Sequence, residues 1–199
     1  KSAMDKALRM APYRNVQWRA GSLPFSKFPV GGHIHFTGVL FSGQLLRALD
    51  NYLAIPLLMV EQVATAKKRR AKYGHLGDFR IKEHGGFEYR TPASWLVSPS
   101  ITRAALCLAK VVVTEYHVLR QDIFHHMDAH KAFLNADKEY FRDFFKDLWQ
   151  DMARTKSFKM YEEELAELES LIASGQSWTE RIDIRKTWKL RIPRRAFYQ

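Results

Sequence analysis

Two periods alternate along the chain. From Ser42 to about Lys72 apolar residues recur at helical spacing, at Leu45, Leu46, Leu49, Leu53, Leu57, Leu58 and Val60, which predicts a helix that Pro56 kinks or divides. Its end is cationic, Lys67-Lys68-Arg69-Arg70 ahead of Gly74, a favourable last turn followed by a C-capping residue. Ser98-Pro99 predicts a second helix start, and the aliphatic residues from Ile101 to about Phe124 are dense enough to be buried on more than one side. A further helical region runs from Asp137 to about Ala173, aromatic at first (Tyr140, Phe141, Phe144, Phe145, Trp149) and acidic and amphipathic later. Aromatic spacing of three and four reads as core packing.

The period changes to two in three places. In Gly31-Gly32-His33-Ile34-His35-Phe36 the two imidazoles share one face of a strand and Ile34 and Phe36 the other. Asp78, Arg80 and Lys82 alternate with Phe79 and Ile81, and, after Gly85-Gly86, Glu88 and Arg90 alternate with Phe87 and Tyr89. The paired glycines predict an antiparallel hairpin ending at Thr91-Pro92. Three strands with apolar backs and ionisable fronts, side by side, would gather two His, one Glu and two Arg, a grip suited to a divalent cation and phosphates. The last period-two stretch, Arg181 to Arg195, sets Ile182, Ile184, Trp188, Leu190 and Ile192 among basic residues and predicts a cationic edge strand. A nucleic-acid contact is the sharper reading of that tail.

Composition narrows this picture only a little. The 199 residues read as one domain, with sheet motifs over 31–95, helices over 98–175 and the basic tail over 181–195. Cys107 is the single cysteine and lies in an apolar helix, which points to inert packing and away from a disulfide scaffold. The net charge of +11 favours anionic partners without choosing among them. The apolar runs are too short or too interrupted to span a bilayer, so no membrane partner is expected. His126 and His130 stand at the i, i+4 spacing that can bind zinc, but the glutamate of a metalloprotease motif is missing and solvated histidines are the favoured reading. There is no Walker loop, dinucleotide fingerprint or serine elbow.

GGHIHF, RRAKYGHLGDFR and FEYRTP, taken together, resemble the carboxylate-amine ligase superfamily of glutamine synthetase and glutamate-cysteine ligase, and most closely the phage-type amidoligases. The resemblance implies an α+β fold in which a curved antiparallel sheet of glutamine-synthetase-like type, backed by helices, holds ATP and Mg²⁺ (or Mn²⁺). It implies His33 and Glu88 as metal ligands and His35 and Arg80 at the nucleotide phosphates. Arg70, at the cationic helix end, joins the nucleotide set as a candidate. Arg80 and Arg90 are the implied catalytic pair, Arg80 neutralising phosphate charge and Arg90 holding a carboxylate or the transferred phosphoryl group. The implied reaction phosphorylates a carboxylate and lets an amine displace the phosphate, with the acid or amine carried on a small molecule, peptide or protein. The family's upstream acidic ligands have no counterpart here, since Asp5 is the only acid ahead of His33. That absence and the start at Lys1 lead to the expectation of a C-terminal part of a longer catalytic domain, completed by an N-terminal portion or by another subunit of a homo-oligomer. Bacterial or phage-infected host cytoplasm, or a virion, is the expected location. The competing reading is a noncatalytic virion-associated or nucleic-acid-binding protein that kept the fold.

Overall fold

Ser42 opens the first long helical run by accepting a hydrogen bond from the Leu45 amide, so α2 (Gly43–Leu49) begins with one of its free N–H groups satisfied. The computed structural model in which this is seen describes residues 1–191 apart from Pro12, Arg14 and His84. Ahead of α2 lie α1 (Ser2–Met10) and β1 (Ile34–Phe36). The run changes character just ahead of Pro56: a π-helical turn at Asp50–Ala54 separates α2 from α3 (Ile55–Val60), and Pro56 sits in the first turn of α3, where its missing amide is tolerated. A full break follows at Glu61–Gln62, where the backbone becomes extended before α4 (Val63–Arg70).

The hairpin forms as expected. β2 (Phe79–Ile81) and β3 (Phe87–Tyr89) pair antiparallel, and β1 adds to the other side of β3, giving the order β1-β3-β2. Gly85 and Gly86 both take positive φ, and a Cβ on Gly86 would run into the Phe36 carbonyl, so the turn needs glycine for its backbone and for its close approach to β1. Phe36 stacks on Phe87 at 5.1 Å, and Ile34, Phe36, Phe87 and Tyr89 are buried on the rear face. The architecture is therefore α+β, with a small open sheet of three short strands.

Ser98 caps α5 (Pro99–Glu115), the central helix, which packs along α9 (Glu162–Ala173) and against α2 and the π-helical turn. It stops nine residues short of Phe124, and α6 (Met127–Asn135) follows. The aromatic and acidic region divides into α7 (Lys138–Ala153), α8 (Lys156–Met160) and α9, because Thr155 caps a new helix and Glu162, Glu163 and Glu164 favour another N-terminus. Phe141, Phe145 and Trp149 are buried in the core, as their spacing suggested.

The tail is not an edge strand over its described part. Ile184 and Trp188 stand four apart on the short α10 (Ile184–Thr187) and its C-cap, and both are buried. Trp188 donates its indole N–H to Leu96, and buried Arg185 is tied to Asp183 and the Tyr13 and Val16 carbonyls. The alternating apolar positions served an i, i+4 face rather than a period of two. Residues 192–195 of the expected strand lie outside the described residues. No described helix is long and apolar enough to cross a membrane.

Candidate active site on the polar face of the sheet

Two rows of side chains cross the front of the sheet. Strand register places His35, Glu88 and Arg80 in one row. Its continuation, with the Arg90 amide bonded to the Asp78 carbonyl, places His33, Arg90 and Asp78 in the next. Glu88 is the hub. Its Oε2 accepts from Arg80 Nε and Nη2 at 3.0 and 2.7 Å and from Lys82 Nζ at 2.7 Å. Its Oε1 lies 2.6 Å from His33 Nδ1 and 3.9 Å from His35 Nε2. Burial pushes the Glu88 carboxyl upward, but hydrogen bonds from Lys82 and Arg80, with His33 and the Arg80 charge alongside, outweigh it and hold it down at about 2.

Tyr73 links the two rows. Its phenol oxygen accepts from Arg90 Nε and Nη2 at 3.1 and 2.6 Å and stands 2.8 Å from His33 Nε2. Two donors into that oxygen leave its own O–H to go to Nε2, so the remaining imidazole proton belongs on Nδ1, pointing at Glu88. His33 is then neutral, and its pKa is lowered by burial and by Arg90 and Arg69 against the pull of Glu88. Arg90 completes the row with Asp78 at 3.4 Å.

A second layer fixes this network from behind. Arg69, 0% exposed, donates to the carbonyls of Val30, Thr91, Arg90 and Pro92, and its guanidinium stands 5.4 Å from the Tyr73 ring centre. Burial without a bound carboxylate pulls its pKa down to about 10. Gly74 lies so close to Arg69 that a Cβ there would strike the guanidinium. On the rear of β3, Tyr89 donates to Asp50 Oδ1 at 2.7 Å, and the Gly77 amide donates to the same oxygen at 3.0 Å. Asp50 thereby ties the π-helical turn to the loop that carries Tyr73 and Asp78.

His33, His35, Arg80, Glu88 and Arg90 are thus brought together on one face. Arg70 is placed elsewhere: it is 1% exposed, pairs with Glu61 at 2.8 Å and stacks over Phe133 at 4.3 Å. Adjacent residues of a helix diverge by about 100°, so Arg69 reaches the sheet and Arg70 turns towards α6. Tyr73, Arg69 and Asp50 escaped the sequence reading. Lys82 shares the phase of Asp78 and Arg80 on the ionisable front, and the structure adds it to the site.

The phage phiEco32-like COOH.NH2 ligase-type 2 family matches residues 1–190. The chain belongs to that family. No curated protein and no solved structure matches it. Membership makes this a chain of the carboxylate–amine ligase class, with a carboxylate and an amine as the implied substrates.

The donors of this ligase-family chain do not fit the divalent cation expected on His33 and Glu88. Both Glu88 oxygens already accept hydrogen bonds, and both His33 nitrogens are engaged. The 2.6 Å between His33 Nδ1 and Glu88 Oε1 is a hydrogen bond; ligands about 2.1 Å from one ion at a right angle stand on the order of 3 Å apart. Among the described residues, no group of three or more His, Cys, Asp and Glu could hold a metal ion. His130 Nε2 is bound to the Phe124 carbonyl at 2.7 Å, outside any such group. Cys107 is half-buried, and burial pushes its thiol pKa up, as suits inert packing.

Proposed function

We propose that the chain contributes the anion-handling face of an ATP-dependent carboxylate–amine ligase of glutamine-synthetase-like architecture. A substrate carboxylate oxygen attacks the terminal phosphorus of ATP, ADP leaves, and an amine then displaces phosphate from the acyl phosphate to give an amide. The observation that carries this reading is the cation excess on one sheet face: Arg80, Lys82 and Arg90 against Asp78 and Glu88. Such a reaction needs charge neutralisation and positioning above all. Arg80 and His35, both more than half exposed, are placed to meet phosphate oxygens. Arg90, steadied by Tyr73 and Asp78, is placed to orient a carboxylate or the phosphoryl group in flight. No step is assigned to a metal on His33 and Glu88.

The test is ADP formation with hydroxylamine as a surrogate amine, run over a panel of carboxylic acids. An acid-dependent hydroxamate made with equal ADP, and lost in Arg90→Ala, is the expected outcome. ADP formation that ignores the acid, or its absence across the panel, counts against a ligase. The second reading, a noncatalytic binding protein, draws on the saturated Glu88 carboxylate, which suits a structural hub as well as a reactive site.

A further inference from the structure

Glu88 is nearly buried, yet the cations that hold it are not. Its side chain is 2% exposed, against 57% for Arg80 and 31% for Lys82. Donors are left over as well, among the described residues. Arg80 commits Nε and Nη2 to Glu88 and keeps Nη1, while Lys82 commits one of the three N–H groups of an ammonium. His35 stands in the same row as Arg80 with its imidazole 58% exposed. Among the described residues, three cations face two carboxylates, which leaves one positive charge in excess from Arg, Lys, Asp and Glu alone. A divalent cation brought to Glu88 Oε1 would have to displace the His33 N–H and then sit beside Arg80 and Lys82 on the other oxygen. An oxyanion has only to bridge donors already turned to solvent.

We propose that this face is a metal-independent cradle for phosphate-class oxyanions, in which Glu88 is the internal counter-ion that fixes Arg80 and Lys82 and is not the ligand of a divalent ion. The idea rests on the ligase reading only for its use, since it names the group of the nucleotide or product that the face takes. Its geometry stands without turnover. Glu88 fixes the Arg80 guanidinium through Nε and Nη2, so less rotamer freedom is lost when an anion arrives.

The test is calorimetric titration of the full chain with inorganic pyrophosphate in EDTA, for the native protein, Arg80→Gln and Glu88→Gln. Glutarate in a parallel arm separates a phosphate from a carboxylate preference. The free Mn²⁺ electron-paramagnetic-resonance signal is followed as the chain is added without nucleotide. Expected are saturable pyrophosphate binding in EDTA, tighter than glutarate, about tenfold weaker in Arg80→Gln and no weaker in Glu88→Gln, and an undiminished Mn²⁺ signal. Pyrophosphate binding that requires Mn²⁺, a Mn²⁺ signal that falls with the native chain and recovers in Glu88→Gln, or glutarate binding more tightly than pyrophosphate would each overturn the proposal. If Glu88→Gln fails to fold, the native-chain arms still decide. Hydroxamate formation is read separately, so failure of the ligase reading leaves these arms intact, and failure of the cradle leaves the ligase assay to be judged alone.

Discussion

Glu88 and Tyr89 are neighbours on β3, and the two faces of that strand hold carboxylates of opposite fate. On the front, Glu88 receives Arg80, Lys82 and His33, and these partners overcome burial and hold its carboxyl at about 2. On the back, Asp50 receives, among the described residues, the neutral Tyr89 hydroxyl and Gly77 amide, and burial wins, pushing it up to about 6. Asp50 lies deep in the protein with neutral donors, whereas Glu88 lies at the sheet face with cationic ones, and depth and donors together set their charge. The open face keeps its carboxylate charged by spending cations that remain half in water, whereas the closed face tolerates a carboxyl that is readily protonated.

The largest effect expected from breaking this contrast is on the back. Asp50→Ala leaves the Tyr89 hydroxyl and the Gly77 amide without their acceptor, for a loss of about 2–4 kcal/mol in urea unfolding. Asp50→Asn keeps an acceptor oxygen and removes the buried charge, so at pH 7 it should match or exceed the native stability. Tyr73→Phe comes next: it strips Arg90 and His33 of a shared partner in a half-open site and should cost about 1–2 kcal/mol, with retained secondary structure by circular dichroism. Arg80→Ala should cost under about 1 kcal/mol of stability, because that side chain is mostly exposed. A loss above about 3 kcal/mol would make Arg80 structural.

The pH dependence sharpens the contrast because the two signs differ. Glu88 has its folded pKa below the ordinary 4.5, so its contribution is complete above that value and is lost as pH falls from 4.5 towards 2. Asp50 has its folded pKa raised from 3.8 to about 6, so the folded state holds more proton in between and stability falls as pH rises through that window. Unfolding midpoints for Asp50→Asn against native protein should therefore converge near pH 4 and separate by pH 7. Parallel curves over that range would show that Asp50 is not perturbed.

The front of the sheet was legible because strand alternation is a strict period of two: His33 and His35, then Asp78, Arg80 and Lys82, then Glu88 and Arg90 had only to share a face. Gly85-Gly86 set the hairpin and Ser98 the start of α5 for equally local reasons. Tyr73 was not legible, since it lies in an irregular turn with no period to aim it. Arg69 and Arg70 were confused because both end a short basic helix, and only the packed fold shows which turns to the sheet and which to Glu61 and Phe133. The Arg181 tail misled because Ile184 and Trp188 fit a strand pattern and a helical turn alike. For the metal, the residues of the expected set were found together, but their hydrogen bonds were already spent on one another.

The most direct test of this account is a side-chain carboxyl ¹³C NMR titration of the native chain between pH 7 and 3. The account predicts that Glu88 stays flat across the range, with its midpoint at about 2, while Asp50 titrates at about 6. A Glu88 midpoint at the ordinary 4.5 would contradict it, because the carboxylate would then be free of the cations said to hold it.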